Sequence, residues 1–242
     1  MKVELSVTTL FRLLDKANLG EPHVIFAGGA RYYSPRFQQE TDARLRRELD
    51  AAGVNGPRGV APDFLDLLSV IQRAAVEYFG YFHDAEGPYS VVTAAVGRQA
   101  VLAERVENTV TFERVEPTRL LDAFLFRLPN VPAARGESIS VRLSDLDAPK
   151  SDGFARSAGP PQARRLQELM KQPRLGGAKL YTAKRDQRGK RLRAADWITA
   201  IDVQQGRWAV YKTSRGESSV TAVPGTPQLI ATRMRELQDT IK

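Results

Sequence analysis

Residues able to do chemistry are few. His23 and His83 are the only imidazoles and cysteine is absent. A metal site would need both histidines plus carboxylates, yet neither has a second ligand at helical or hairpin spacing, so both read as ordinary histidines. The missing thiols exclude disulfides, thiolate zinc, iron–sulfur clusters and cysteine nucleophiles. Neither G-x-S-x-G nor S-x-x-K occurs, which leaves nucleophilic catalysis without a motif. The run VIFAGGA has a strand-like start but no phosphate-loop signature, so Gly28 and Gly29 read as a turn. Paired acids at Asp63 and Asp66, and at Asp145 and Asp147, fall at a helix N-terminus or in a polar loop, where capping and solvation account for them. No enzyme, cofactor or metal is expected.

One cluster is basic. Within KRDQRGKRLR, the side chains of Lys184, Arg185, Arg188, Lys190, Arg191 and Arg193 could contact phosphates, with Asp186 to Gly189 as a hairpin tip. The alternative is a solvated hairpin, and only Tyr181 and Trp197 stand near enough to stack on bases. Over the whole sequence the 36 Lys and Arg are interleaved with 28 acids; the net charge of +8 is spread along the chain and favours solubility over a reading surface. With 42% apolar and 26% charged residues, 242 residues are enough for a large core without staples. No stretch approaches the length of a membrane span and no leader-like apolar segment opens the chain, so the expectation is a cytoplasmic protein without membrane insertion.

The elements that would position these residues follow from periodicity. Val7, Leu10, Phe11 and Leu14 predict a first helix capped by Ser6. HVIF predicts a short β-like run, and Ser34-Pro35 opens a second helix reaching about Ala52. A third helix begins at Ala61-Pro62-Asp63 with Phe64, Leu68, Ile71 and Ala75 on one face. The period then changes to two, and residues 77–115 predict four strands in an antiparallel meander. A helix from Glu116-Pro117 carries Leu120, Leu121, Phe124, Leu125 and Leu128. A joint rich in Pro and Gly follows, with a brief strand in ESISVRL and a helix in QARRLQELM whose apolar contacts are Leu166, Leu169 and Met170. Residues 177–223 predict four further strands, and a helix capped by Thr226 closes the sequence.

The two halves align on each other. Val110, Thr111, Pro117, Leu120 and Phe124 match Val220, Thr221, Pro227, Ile230 and Met234 at a constant offset of 110, and Gly97-Arg98 matches Gly206-Arg207 at 109, so one extra residue is expected in the turn carrying Gly216. Thr93-Ala94 is matched with Thr199-Ala200. The chain therefore reads as one α+β domain, 1–242, with quasi-repeats at 76–129 and 177–242, an N-terminal helical segment 1–75 and a linker 130–176. Joined edge to edge, two such units give a pseudo-two-fold body: a continuous, mostly antiparallel sheet backed by helices, with an uncovered face or rim for a partner.

GPYSVVTAAVGRQAVLAERVENTVTFERVEPTRLLDAFLFRLP, the helix QARRLQELM followed by PRLGGAKLYTAKRDQRGKRLR, and DWITAIDVQQGRWAVYKTSRG resemble the EspG proteins, cytosolic chaperones of type VII (ESX) secretion in actinobacteria. The resemblance rests on order and spacing rather than on invariant chemistry, and it spans most of the chain. It implies a duplicated α+β fold, no catalysis, and the binding of a helical secretion substrate, a PE–PPE heterodimer or a WXG-type hairpin, by a monomer or weak dimer. It also implies a contact region around the loop His83 to Pro88 with Asp84 and Glu86, and around Tyr81, Leu169, Met170 and Trp208. The alternative reading is nucleic-acid binding through Lys184, Arg185, Arg188, Lys190 and Arg191.

Overall fold

The Ser6 hydroxyl accepts the Thr9 amide at 3.2 Å and starts helix α1 (Val7–Lys16), as the capping pattern predicts. Ahead of it lies a strand that the periodicity does not announce, β1 (Lys2–Ser6), with Val3 and Leu5 buried. The structure, a computed structural model, describes residues 2–27, 35–57, 59–146, 160–213 and 217–242. The expected turn at Gly28 and Gly29, the Ser34 cap, Asp147 and Gly216 lie outside them. Helix α2 (Pro35–Ala51) is followed by the small ladder β2 (Asn55–Gly56) with β3 (Gly59–Val60) and by α3 (Pro62–Arg73).

The first meander comprises β4 (Val76–His83), β5 (Pro88–Val96), β6 (Gln99–Val106) and β7 (Thr109–Arg114). Next come α4 (Leu120–Leu125), β8 (Ile139–Arg142), α5 (Leu143–Leu146) and α6 (Pro161–Lys171). The second half holds β9 (Gly176–Arg185), β10 (Arg191–Arg193), β11 (Ile198–Val203), β12 (Gly206–Thr213), β13 (Ser219–Pro224) and α7 (Pro227–Asp239). Eleven strands form one antiparallel sheet in the order β1-β7-β6-β5-β4-β9-β11-β12-β13-β8, with β10 paired to β9. Its middle is the β4–β9 ladder, eight residue pairs from Val76↔Lys184 to His83↔Gly177.

Alternation of side chains gives the sheet two faces. On the front, α1, α2 and α3 cover the first arm over Phe79, Val92, Val101 and Phe112, while α6 covers the far arm over Ile201, Val203 and Trp208. On the back, α4 and α7 pack over both arms on Tyr78, Phe82, Leu102, Leu180, Ile198 and Tyr211. The joining of two arms into one sheet backed by helices is the expected fold class.

Several local expectations are corrected. HVIF forms a 3-10 turn at Val24–Phe26 instead of a strand, because His23 Nδ1 accepts the Ile25 amide at 3.3 Å. Ala75 is exposed, since α3 ends at Arg73. The second strand of the second half is divided into β10 and β11, so five strands replace four. Gly97-Arg98 is a hairpin tip between Val96 and Gln99, whereas its assigned counterpart Gly206-Arg207 begins β12; the matching tip is residues 204–205. The β6–β7 turn has two residues, 107–108, and the β12–β13 connection five, 214–218, a difference of three where one was expected. Thr93 pairs with Leu102 on the back face, but Thr199 pairs with Val210 on the front; Ala200 is on the side facing Thr93's layer.

Phe124 is fully buried on the back face, stacked on Tyr78 and edge-on to Phe82. Phe124→Ala is expected to lower stability by about 3–5 kcal/mol, read as an earlier urea midpoint with an unchanged denaturant slope.

Candidate partner-binding surface

Among the described residues, the front-face helices leave part of the seam open: Phe79 and Ala183 are buried with them, whereas Tyr81 and Lys179 are exposed. Register places Tyr81, Lys179, Thr199 and Val210 side by side across β4, β9, β11 and β12. One step along, Phe79 pairs with Tyr181, and Trp197 meets Tyr181 at a ring distance of 6.1 Å. Phe79 stacks beneath Tyr181 at 5.2 Å and Tyr81 approaches it edge-on at 6.3 Å. Tyr81 and Trp197 are 41% and 42% exposed, so the cluster rises from the core into solvent. Glycine is required one step the other way: Gly177 has φ +150°, and a Cβ there would sit 2.3 Å from the Ala200 carbonyl oxygen. Burial pushes the Tyr81 hydroxyl above the ordinary tyrosine value.

The loop after β4 is organised by its own acid. Asp84 Oδ1 accepts the amides of Glu86 at 2.9 Å and Gly87 at 3.2 Å, while Gly87 takes φ +129°. His83 is exposed on the same face as Tyr81, and Glu86 is exposed at the tip. This loop also lines a hollow of about 310 Å³ with Tyr89, Val106 and Phe126. Phe126 is 86% exposed; it lies off the helical stripe that periodicity identifies, which is why sequence reasoning passes over it. Met170, expected as an apolar contact of its helix, is instead 44% exposed, and Leu175 is 61% exposed just before β9 meets His83.

Two residues implied as contacts are corrected. Leu169 and Trp208 are 4% and 5% exposed and belong to the core beneath α6, with the Trp208 ring only 3.0 Å from where a Cβ on Gly136 would stand. Tyr81, His83, Asp84, Glu86 and Met170 thus remain on the surface. Lys179 was missed, although the alternation in AKLYTAKR places it on the face of Tyr181; Arg193 was named only as one of the basic-hairpin cations that could contact phosphates.

The basic hairpin is largely tied down. Arg185 donates to the carbonyls of Gln72 and, at 2.7 Å, of Gly189. Arg191 donates to Glu77 Oε1 through Nε at 2.7 Å and lies 5.0 Å over the Phe79 ring. Asp186 Oδ1 accepts the amides of Arg188 and Lys190 at 2.9 and 2.8 Å and shapes the tip. Lys184 lies half-buried on the back face beside Leu192, which leaves Arg188 and Lys190 as exposed members of the proposed nucleic-acid set. Glu77 is buried and also meets His23 Nε2 at 3.2 Å. His23 Nδ1 accepts the Ile25 amide, which leaves Nε2 as the ring nitrogen facing Glu77 Oε1 and, at 3.3 Å, Arg191 Nη2. Burial works to raise the Glu77 pKa, but the contacts with His23 and Arg191 outweigh it and hold the carboxyl below the ordinary glutamate value.

A broad antiparallel sheet with helices on both faces and an aromatic strip open at its centre makes this a sheet-platform α+β protein; no grouping of three metal-ligating side chains occurs among the described residues. The sequence pattern of the EspG family matches residues 6–236, and the chain belongs to that family. The structure is similar to that of the Mycobacterium tuberculosis type VII secretion system chaperone EspG5, solved in complex with a PE25–PPE41 dimer: the TM-score is 0.72 at 19% identity, covering 100% of this chain and 97% of that one. No curated protein matches the sequence. No helix among the described residues is long and apolar enough to cross a membrane.

Glu77→Gln removes the buried charge that Arg191 meets, and a loss of about 1–3 kcal/mol at neutral pH is expected, because the part-exposed guanidinium left behind still reaches water. Since the folded pKa of Glu77 lies below 4.5, its contribution is present above that pH and lost as pH falls through the folded value. Denaturant midpoints measured against pH should therefore fall less steeply on the acid side for the variant than for the parent.

Proposed function

We propose that this protein is a cytoplasmic chaperone of a type VII (ESX) secretion system, not an enzyme, that binds a PE–PPE heterodimer, keeps it soluble and delivers it to its own secretion system. The observation that carries this reading is the open front-face strip, in a chain that belongs to the EspG family and shares its fold with a chaperone solved around a PE25–PPE41 dimer. The tip of a helical client would lie on Tyr81 and against His83, Asp84, Glu86 and Met170, hiding apolar surface that otherwise aggregates. A WXG-type hairpin would present the same kind of tip. No cofactor takes part, and the chaperone acts as a monomer or weak dimer. The quasi-repeats 76–129 and 177–242, with the helical segment 1–75 and the linker 130–176, are proposed as the units of one domain; the two meanders meeting at the β4–β9 ladder support that division.

Co-expression with PE–PPE heterodimers of the source organism should yield a soluble complex of one chaperone with one dimer by size exclusion and light scattering, without nucleotide or metal. A client that stays insoluble with every chaperone preparation would count against the reading. Tyr81→Ala is expected to weaken the complex by about 2 kcal/mol, roughly thirtyfold in Kd, by calorimetry, with the thermal melt unchanged. Under the nucleic-acid alternative, binding would instead fall steeply with salt and respond to neutralising Arg188 and Lys190.

A further inference from the structure

The strip is charged as well as aromatic, and the charges beside Tyr181 are cations, set apart from the loop acids Asp84 and Glu86. Lys179 and Arg193 flank Tyr181 along the front face: Lys179 is two residues before it on β9, and the Arg193 guanidinium lies 5.2 Å over its ring from β10. Both cations are exposed, and neither forms an ion pair with another described residue. This sets them apart from Arg191, which is on the same face but is spent on Glu77, and from Arg12, Arg127 and Arg207, all paired with carboxylates. The acids at the opposite end, Asp84 and Glu86, belong to the loop, where the Asp84 carboxylate is engaged by backbone amides. Tyr81, Tyr181 and Trp197 thus form an apolar floor between two cations that meet no carboxylate among the described residues.

Resting on the chaperone reading, we propose that the client tip seated here carries an apolar side chain bracketed by carboxylates: the apolar group on the Tyr81–Tyr181–Trp197 floor, one Asp or Glu at Lys179 and one at Arg193. Adjacent strands are about 4.8 Å apart and alternate residues about 7 Å apart, so the two cations stand on either side of Tyr181 within reach of successive turns of one helix, or of the two ends of a helical-hairpin tip. Guanidinium over an aromatic ring keeps a fixed plane for a carboxylate, whereas the Lys179 ammonium acts as a mobile point charge. Charge complementarity of this kind selects among clients that all offer an apolar tip, because a client with Lys or Arg at those positions would face like charge in a partly dry interface. Aromatic rings beside unpaired cations can also stack on nucleotides, and that chemistry is an outcome of the test.

The experiment uses the full chain and the PE–PPE dimer recovered by co-expression, with a 30-nucleotide oligo(dT) as the second probe. Lys179→Glu with Arg193→Glu should weaken dimer binding at least tenfold at low salt, leave circular dichroism and the thermal melt unchanged, and flatten the salt dependence seen with the parent. Changing the acidic residues of the client tip to Lys should restore binding to the doubly reversed chaperone and abolish it with the parent. Lys179→Gln with Arg193→Gln provides the milder variant should reversal disturb the fold. If charge reversal leaves Kd unchanged while Tyr81→Ala removes binding, the charge proposal is wrong and the docking reading stands. If neither change matters, the docking site is elsewhere and both fail. Tight oligo(dT) binding that Lys179→Glu with Arg193→Glu abolishes, with dimer affinity unaffected, would assign the strip to nucleic acid and overturn the proposal.

Discussion

The β4–β9 ladder is the constraint on which the architecture turns. Each meander alone would end in an open strand edge, and pairing β4 with β9 over eight residues consumes both inner edges at once. That junction makes a wide sheet whose centre the described helices cover only in part on the front: α1, α2 and α3 are committed to one arm and α6 to the other. On the back, α4 and α7 span both arms and seal the face. The front strip is therefore a consequence of how the arms are closed, and its residues, Tyr81 from β4 and Lys179 and Tyr181 from β9, belong to the ladder itself.

Two buried ionic groups fix the margins of that strip from below. Glu77 on β4 gathers His23 from the N-terminal segment and Arg191 from the basic hairpin, binding two distant stretches of chain to the first arm. Asp202 and Arg207 form a bidentate pair between β11 and β12, at 2.6 and 2.7 Å, and Arg207 also donates to the Pro129 carbonyl at 2.8 Å, holding the linker against the second arm. Such pairs add little net stability compared with apolar packing, but an unpaired member would be costly, so they select one register. Pairs that select one register favour a pre-organised platform, which would need little ordering to receive a partner.

What was legible in the sequence was the information that periodicity carries. The change from a period of 3.6 to 2 after Ala75, Ser6 and Thr226 as caps, and the order of meander and helix in both halves are all local signals. What escaped were quantities set between segments. β1 is five residues welded to a helix, and only its pairing with β7 makes it a strand. Gly97-Arg98 and Gly206-Arg207 look alike, yet one is a tip and the other a strand start, because hydrogen-bond register and not residue type decides where a hairpin turns. Trp208, which the resemblance placed in the contact region, is core under a helix supplied by the linker. Arg191, read either as a solvated hairpin cation or as a phosphate contact, is instead bound by a carboxylate 114 residues away. Tyr81, His83, Asp84 and Glu86 were legible as one region because they are contiguous in sequence, whereas Lys179 and Arg193 join them only through strand pairing.

The central claim is that clients occupy the front strip over the seam. Site-specific photocrosslinking tests it most directly, with benzoylphenylalanine placed at Tyr81 on the strip or at Gln228, exposed on α7 behind the sheet. The account predicts crosslinks to the PE–PPE partner from position 81 and none from 228. Crosslinking from the α7 position with position 81 silent would contradict it.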